Sequence, residues 1–178
     1  MDFLYNKDSK DLNILLWPNR IDTKIKVFIF MDIKNFRLKT KHNYKKVNCS
    51  SFCDENSFFD HVAQQLSNGV DALELEENKL SSKQFLSIAK KTRELCSIYD
   101  ALFFINDRCD ITFLCEADGV VLSKESISLE NAKNILGENF MYGYLIENKK
   151  EITNQYDFYV SENAINNREF DKPYFIRK

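Results

Sequence analysis

Residues 101–122, ALFFINDRCDITFLCEADGVVL, decide the fold. The apolar run Leu102–Ile105 ends in Asn106-Asp107-Arg108, and Asp118-Gly119 then opens a second apolar run. An unbroken apolar run, rather than an alternating one, is the pattern of a strand covered on both faces, as in parallel sheets. The residues between the two runs suit one short helix near 110–116, so the stretch is a strand, a polar turn, a helix and a second strand. Polar side chains at the C-terminal end of a parallel strand occupy the place where (β/α)8 barrels put their chemistry.

The same alternation continues on both sides. Asp54 is placed to cap a helix over about 55–67, in which Phe59, Val62, Ala63 and Leu66 form an apolar face. Gly69 ends it and Val70–Leu75 is the next strand. Ser81 or Ser82 caps a helix to about Cys96, with Phe85, Ile88, Ala89, Thr92, Leu95 and Cys96 on one side. After Val120–Leu122 comes a helix near 129–136 ended by Gly137, then strands Phe140–Ile146 and Tyr156–Val160. These two are only about nine residues apart, too few for a comfortable crossover helix. Pro173–Ile176 reads as a last short strand. Upstream, Lys26–Met31 reads as the first buried strand, and Leu12–Trp17 as a short one stopped by Pro18. Alternating strands and helices define an α/β chain with parallel strands and a single domain over 1–178. The glycines Gly69, Gly119, Gly137 and Gly143 all fall where a turn asks for φ > 0, and none lies in a phosphate-cradling loop.

Composition removes several function classes. The chain has 178 residues, 44% apolar and 29% charged, with a net charge of −2, which is the balance of one water-soluble domain. Near-neutral charge gives no reason to expect a nucleic acid or a membrane as partner. No apolar run approaches the roughly 18 residues that span a bilayer, and Met1-Asp2-Phe3-Leu4 does not start a signal peptide. Five cysteines, at 49, 53, 96, 109 and 115, make no even disulfide framework, so reduced thiols and a cytoplasmic location are expected.

From about residue 26 to 148 the order and spacing resemble the thiamine-phosphate synthase / thiazole tautomerase (TenI-type) superfamily. The residues that carry the resemblance are Gly69-Val70-Asp71, Asn106-Asp107-Arg108 and Ala117-Asp118-Gly119-Val120. It implies a TIM-type (β/α) barrel, here shortened and incomplete after the sixth or seventh strand. It also implies an enzyme that couples a pyrimidine diphosphate to a thiazole phosphate with Mg2+, releasing pyrophosphate.

Carried over residue by residue, the implied site is damaged. Glu74-Leu75-Glu76-Glu77-Asn78 stands where the family has Gln-Leu-Arg-Glu-Lys, so an acid and an amide replace two cations that would hold a diphosphate. Lys79, one position later, compensates only if the loop shifts, and it stands with Glu74 among the vestigial substrate-binding candidates. Asn106, Asp107 and Arg108 are intact, which leaves Asn106 and Arg108 as substrate-binding candidates and Asp107 as an Mg2+ ligand. The second Mg2+ carboxylate should follow the next strand, but Ser123-Lys124-Glu125-Ser126 is there, with Ser126 at the Asp position. Glu125 is its nearest substitute and Lys124 the nearest anion contact. On the following strand Leu145 replaces a diphosphate-binding Ser, and Glu147 replaces the His a tautomerase would use.

Two readings of function follow. In the first, the protein is a diverged, non-catalytic or repurposed family member, with Asn106-Asp107-Arg108 a structural remnant. In the second it is an active transferase of thiamine biosynthesis with an altered Mg2+ and diphosphate site, binding a phosphorylated small molecule. A further reading makes residues 34–46, with Lys34, Arg37, Lys39, Lys41, Lys45 and Lys46, an anion or nucleic-acid binder on the same face as the site. An incomplete barrel exposes strand edges. Residues 1–24 as an extension covering the edge, a homo-oligomer or another protein partner are the expected ways to close it.

Overall fold

The computed structural model describes residues 43–161 and 174–175. Six strands run parallel and pair in chain order: β1 Tyr44–Val47, β2 Ala72–Leu75, β3 Leu102–Asn106, β4 Gly119–Leu122, β5 Met141–Ile146 and β6 Phe158–Ser161. A seventh, β7 Tyr174–Phe175, lies antiparallel to β6. Helices α1 Glu55–Ser67, α2 Ser82–Ile98, α3 Cys109–Leu114 and α4 Leu129–Leu136 make the crossovers between β1 and β5.

The helices form where local chemistry directs them. Asp54 accepts the Ser57 N–H at 2.9 Å and starts α1. Ser81 and Gln84 cap α2 reciprocally, and Ser128 caps α4. Gly137 ends α4 at φ +80°. Phe58, Val62 and Leu66 of α1 and Phe85, Ile88 and Ala89 of α2 bury against Leu73, Leu75, Phe103 and Ile105 of the sheet. The buried α1 face is therefore rotated by one residue from the expected one: Phe58 is sealed, and Phe59 and Ala63 are partly open.

Alternate strand residues face the other way and fill the concave interior. Ala72, Leu102, Phe104, Val121, Met141, Phe158 and Val160 form one buried cluster, flanked by Tyr44 and Leu145. Phe104 on β3 and Phe158 on β6 approach to 4.6 Å between ring centroids. In a flat sheet those strands would be about 14 Å apart, so the contact measures how far the sheet has curled. The result is a half-barrel.

Gly119 and Gly143 correct the glycine expectation. Neither has positive φ; only Gly69 and Gly137 do. A Cβ on Gly119 would lie 2.1 Å from the Met141 carbonyl oxygen, and one on Gly143 would lie 2.4 Å from the Phe158 ring. They are glycine because β5 and an interior ring need the space.

The sequence reading also missed β1, a strand of which only Val47 is buried. Two lysines hide it, and what neutralises Lys46 lies on the next strand. The expected strands at 26–31 and 12–17, and the extension 1–24, lie outside the described residues. Between β5 and β6 there is no α-helix, as the spacing predicts; the connection holds the 3-10 turn Lys149–Glu151 and Tyr156, whose ring packs on Tyr144 of β5 and edge-on to Tyr159 of β6. No helix among the described residues is long and apolar enough to cross a membrane.

Candidate functional site

Strands β1, β2 and β3 gather five polar side chains around Glu74, between the interior and the mouth of the half-barrel. Tyr44 and Lys46 come from β1, Glu74 ends the interior row of β2, Glu76 follows it, and Asn106 closes β3. Glu74 is fully buried. It accepts hydrogen bonds from the Tyr44 hydroxyl and from Asn106 Nδ2, the latter at 2.7 Å. Lys46 Nζ stands 3.7 Å from Glu74 Oε1 and 3.1 Å from Glu76 Oε1, with its side chain only 12% exposed.

Burial pushes the Glu74 carboxyl above its ordinary value, and Lys46, Tyr44 and Asn106 oppose that rise without cancelling it. Burial, followed by the nearby Glu74 charge, likewise holds the Tyr44 phenol well above its usual range. Both groups resist a second negative charge. The mouth is thus a closed set of donors and acceptors around one buried carboxyl.

Glu77, which keeps the family's Glu, does structural work. Burial alone would raise its pKa, but the Lys79 and Ser50 N–H groups and the Ser50 hydroxyl hold it below the usual range. It thereby ties the loop after β2 to the loop after β1. Asp118 is structural too, accepting the Phe103 N–H at 2.9 Å and pairing with Arg93 at 3.2 Å.

The remaining sequence candidates are on the rim. Asp107 is exposed, with φ +62° and its N–H donated to the Val121 carbonyl at 2.9 Å. Arg108 grips Asp110 with two bonds, at 2.8 and 2.7 Å, and reaches Ser82 at 3.0 Å. Lys124 pairs with Glu147 at 2.5 Å, so the acid that stands in the family's His position neutralises the cation beside it. Ser126 accepts the Ser123 N–H at 2.8 Å and shapes its own loop. Lys79 and Glu125 are exposed on their loops.

Geometry therefore joins Glu74 to Asn106, while Arg108 and Lys124 are turned to local acids. Of the basic segment 34–46 only residues 43–46 are described, and residues 44–46 are strand and not loop. Its described members Tyr44 and Lys46 are interior residues of β1, and the chain reaches Asn43 at the N-terminal ends of the strands, opposite the mouth. Lys46 and Tyr44 were missed as site residues. Their only signal was i, i+2 spacing before the polar loop 48–51, and it was masked by the surrounding lysines.

Of the Mg2+ site the family implies, the residues present keep one carboxylate, Asp107. Among the described residues, no three His, Cys, Asp or Glu side chains gather as a metal site. Asp107 is left as the single rim carboxylate of the implied pair, where Ser126 has replaced the second. Mg2+ is normally held by one or two carboxylates together with phosphates.

An open-mouthed, mostly parallel (β/α) half-barrel with polar groups at its strand ends defines a barrel of the TIM type. Residues 46–160 match the family model described as thiamine monophosphate synthase. The thiamine-phosphate synthase of Fusobacterium nucleatum is 37% identical over 99 residues, covering 56% of this chain and 48% of that protein. The thiamine-phosphate synthase of Clostridioides difficile is 34% identical over 86 residues, covering 48% of this chain and 41% of that protein. The thiamine phosphate pyrophosphorylase structure from Pyrococcus furiosus superposes with a TM-score of 0.60 at 28% identity, covering 71% of this chain and 61% of that one. The chain belongs to the thiamine monophosphate synthase family. It spans about half the length of the curated relatives it matches.

Proposed function

We propose that this protein is a diverged family member that does not couple a pyrimidine diphosphate to a thiazole phosphate and acts as a non-catalytic or repurposed relative. The observation that carries this reading is the sealed Glu74. A buried carboxyl whose two oxygens are already engaged by Tyr44 and Asn106, and which also draws Lys46, presents a diphosphate with an acceptor where the family has a donor. The rim agrees with it. Arg108 and Lys124 are each satisfied by a carboxylate of this chain, and a phosphate would have to displace Asp110 or Glu147 to use them. Five cysteines without a disulfide support a reducing compartment such as the cytoplasm as part of this reading.

The competing reading, an active transferase with an altered site, rests on the intact Asn106-Asp107-Arg108 and the exposed Asp107. A product assay separates the two. The purified chain is incubated with the pyrimidine diphosphate, the thiazole phosphate and Mg2+ beside an active family enzyme, and thiamine phosphate is measured by mass spectrometry. The expected result is no product above background. Product that disappears in Asp107→Asn would establish the transferase instead. Asn is the appropriate replacement because it removes the charge and tolerates the left-handed backbone.

A further inference from the structure

Helix α1 ends in a glycine cap. Val70 N–H donates to the Gln65 carbonyl at 3.1 Å and Gly69 N–H to the Leu66 carbonyl at 3.0 Å, with Gly69 at φ +90°. This is the Schellman arrangement, in which a left-handed glycine just past the helix lets the chain satisfy carbonyls the last turn leaves open. Asn68 precedes that glycine, and both are exposed. No other asparagine in the chain is followed by glycine.

An Asn-Gly pair can react with itself. The glycine nitrogen attacks the asparagine Cγ and gives up its proton, the Cγ–Nδ2 bond breaks, and the amide nitrogen leaves as ammonia. Water then opens the resulting five-membered imide, at Cγ to give aspartate or at the backbone carbonyl to give isoaspartate. Glycine favours the ring because it has no Cβ to obstruct it. Here even a Cβ at Gly69 would meet nothing within 4 Å, so the turn has room for the imide. The cap is what restrains the reaction. It commits the Gly69 N–H to Leu66, and Asn68 holds φ −83° and ψ 8°, which turns the Gly69 nitrogen away from the Asn68 side chain.

We infer that Asn68 is a self-modification site, gated by fraying of the last turn of α1, and that its products loosen the start of β1. The Gly69 carbonyl accepts Asn43 Nδ2 at 3.0 Å. Asn43 also donates its N–H to Asp71 Oδ1 at 2.9 Å and accepts the Asp71 N–H at 3.0 Å, so the turn after α1 fixes the entry to β1. Isoaspartate adds one atom to the main chain between positions 68 and 69, which pulls these bonds and the cap out of register. Aspartate places a negative charge at the negative end of a helix that has no basic residue in its last turn.

The full chain is held at neutral pH, folded and in strong urea, and conversion at each asparagine is followed by peptide mapping with mass spectrometry. An isoaspartate-specific methyltransferase with a labelled methyl donor counts that product independently. The expected result is that Asn68 converts ahead of every other described asparagine, about tenfold more slowly folded than in urea, as for a fraying helix end. Asn43→Ala, which removes one bond on the Gly69 carbonyl, should speed the folded reaction about threefold and leave the urea rate alone. Maleimide labelling of the buried Cys96 reports general opening and should not change. In the converted fraction, amide hydrogen exchange should quicken at Tyr44–Val47 and stay unchanged at Leu102–Ile105. Equal rates folded and in urea would overturn the gating by the cap, as would folded conversion that only keeps pace with Cys96 labelling. Unchanged exchange at Tyr44–Val47 in the converted chain would overturn the link to β1.

Discussion

Replacing Glu74 in two ways tests the closed mouth. Glu74→Leu leaves the Tyr44 hydroxyl and the Asn106 amide without their acceptor in a buried place. Each stranded group costs about 1–3 kcal/mol, so the expected loss is about 2–6 kcal/mol. Glu74→Gln keeps the shape, and an amide can satisfy both neighbours if Asn106 turns over. It weakens two charge-assisted bonds by about 1 kcal/mol each, but it also removes a buried charge whose desolvation costs several kcal/mol. Lys46 retains Glu76 at 3.1 Å. The Gln variant should therefore be close to neutral or more stable.

The pH dependence gives the sign. Folding raises the Glu74 pKa, so the native state holds this proton more tightly than the unfolded chain. The associated stability is complete below the ordinary carboxyl value of about 4.3 and is lost as pH rises through the elevated native value. Within that window the slope reaches about 1.4 kcal/mol per pH unit. Urea unfolding followed by fluorescence, at steps between pH 5 and pH 8, should show Glu74→Gln gaining on the parent as pH rises. Equal destabilisation by Gln and Leu, or a pH slope unaltered by Gln, would refute the reasoning.

Gly143→Ala should cost about 1–3 kcal/mol by pushing into the Phe158 ring, and Phe158→Leu in the same chain should recover part of it, read as a non-additive double-mutant cycle. Ser81→Ala removes the α2 capping box and should cost about 1 kcal/mol in urea unfolding. Burial pushes the thiols of Cys96 up to about 12 and of Cys109 and Cys115 up to about 11, while Cys53 is exposed. A maleimide at neutral pH should label Cys53 rapidly and the other four only on unfolding; fast labelling of Cys96 in the folded chain would contradict the packing.

Much of the framework is legible in the residues because its causes are local. Asp54, Ser81 and Gly137 mark helix ends through bonds within a few positions of themselves, and the runs Leu102–Ile105 and Val120–Leu122 are apolar because both faces are covered. Tyr44–Val47 escaped notice for the opposite reason: its lysine is tolerated in the interior only through Glu74 and Glu76, a relation that requires the sheet to exist first. That omission left Lys45 and Lys46 in a loop instead of a strand. The site was half legible. The exchanges at 74, 76, 78, 126, 145 and 147 could be read from the motif, but the way Asp110 and Glu147 take up Arg108 and Lys124 depends on loop geometry that no spacing reveals.

Asp107 holds φ +62° at the end of β3, a conformation that Asn, Asp and Gly adopt readily and bulkier side chains resist. The backbone alone thus restricts this position to a few residue types, whatever reaction takes place above it. A lineage that abandoned metal-dependent chemistry would still be slow to lose this aspartate. The Asn-Asp-Arg signature therefore carries a constraint of chain geometry beside any constraint of chemistry.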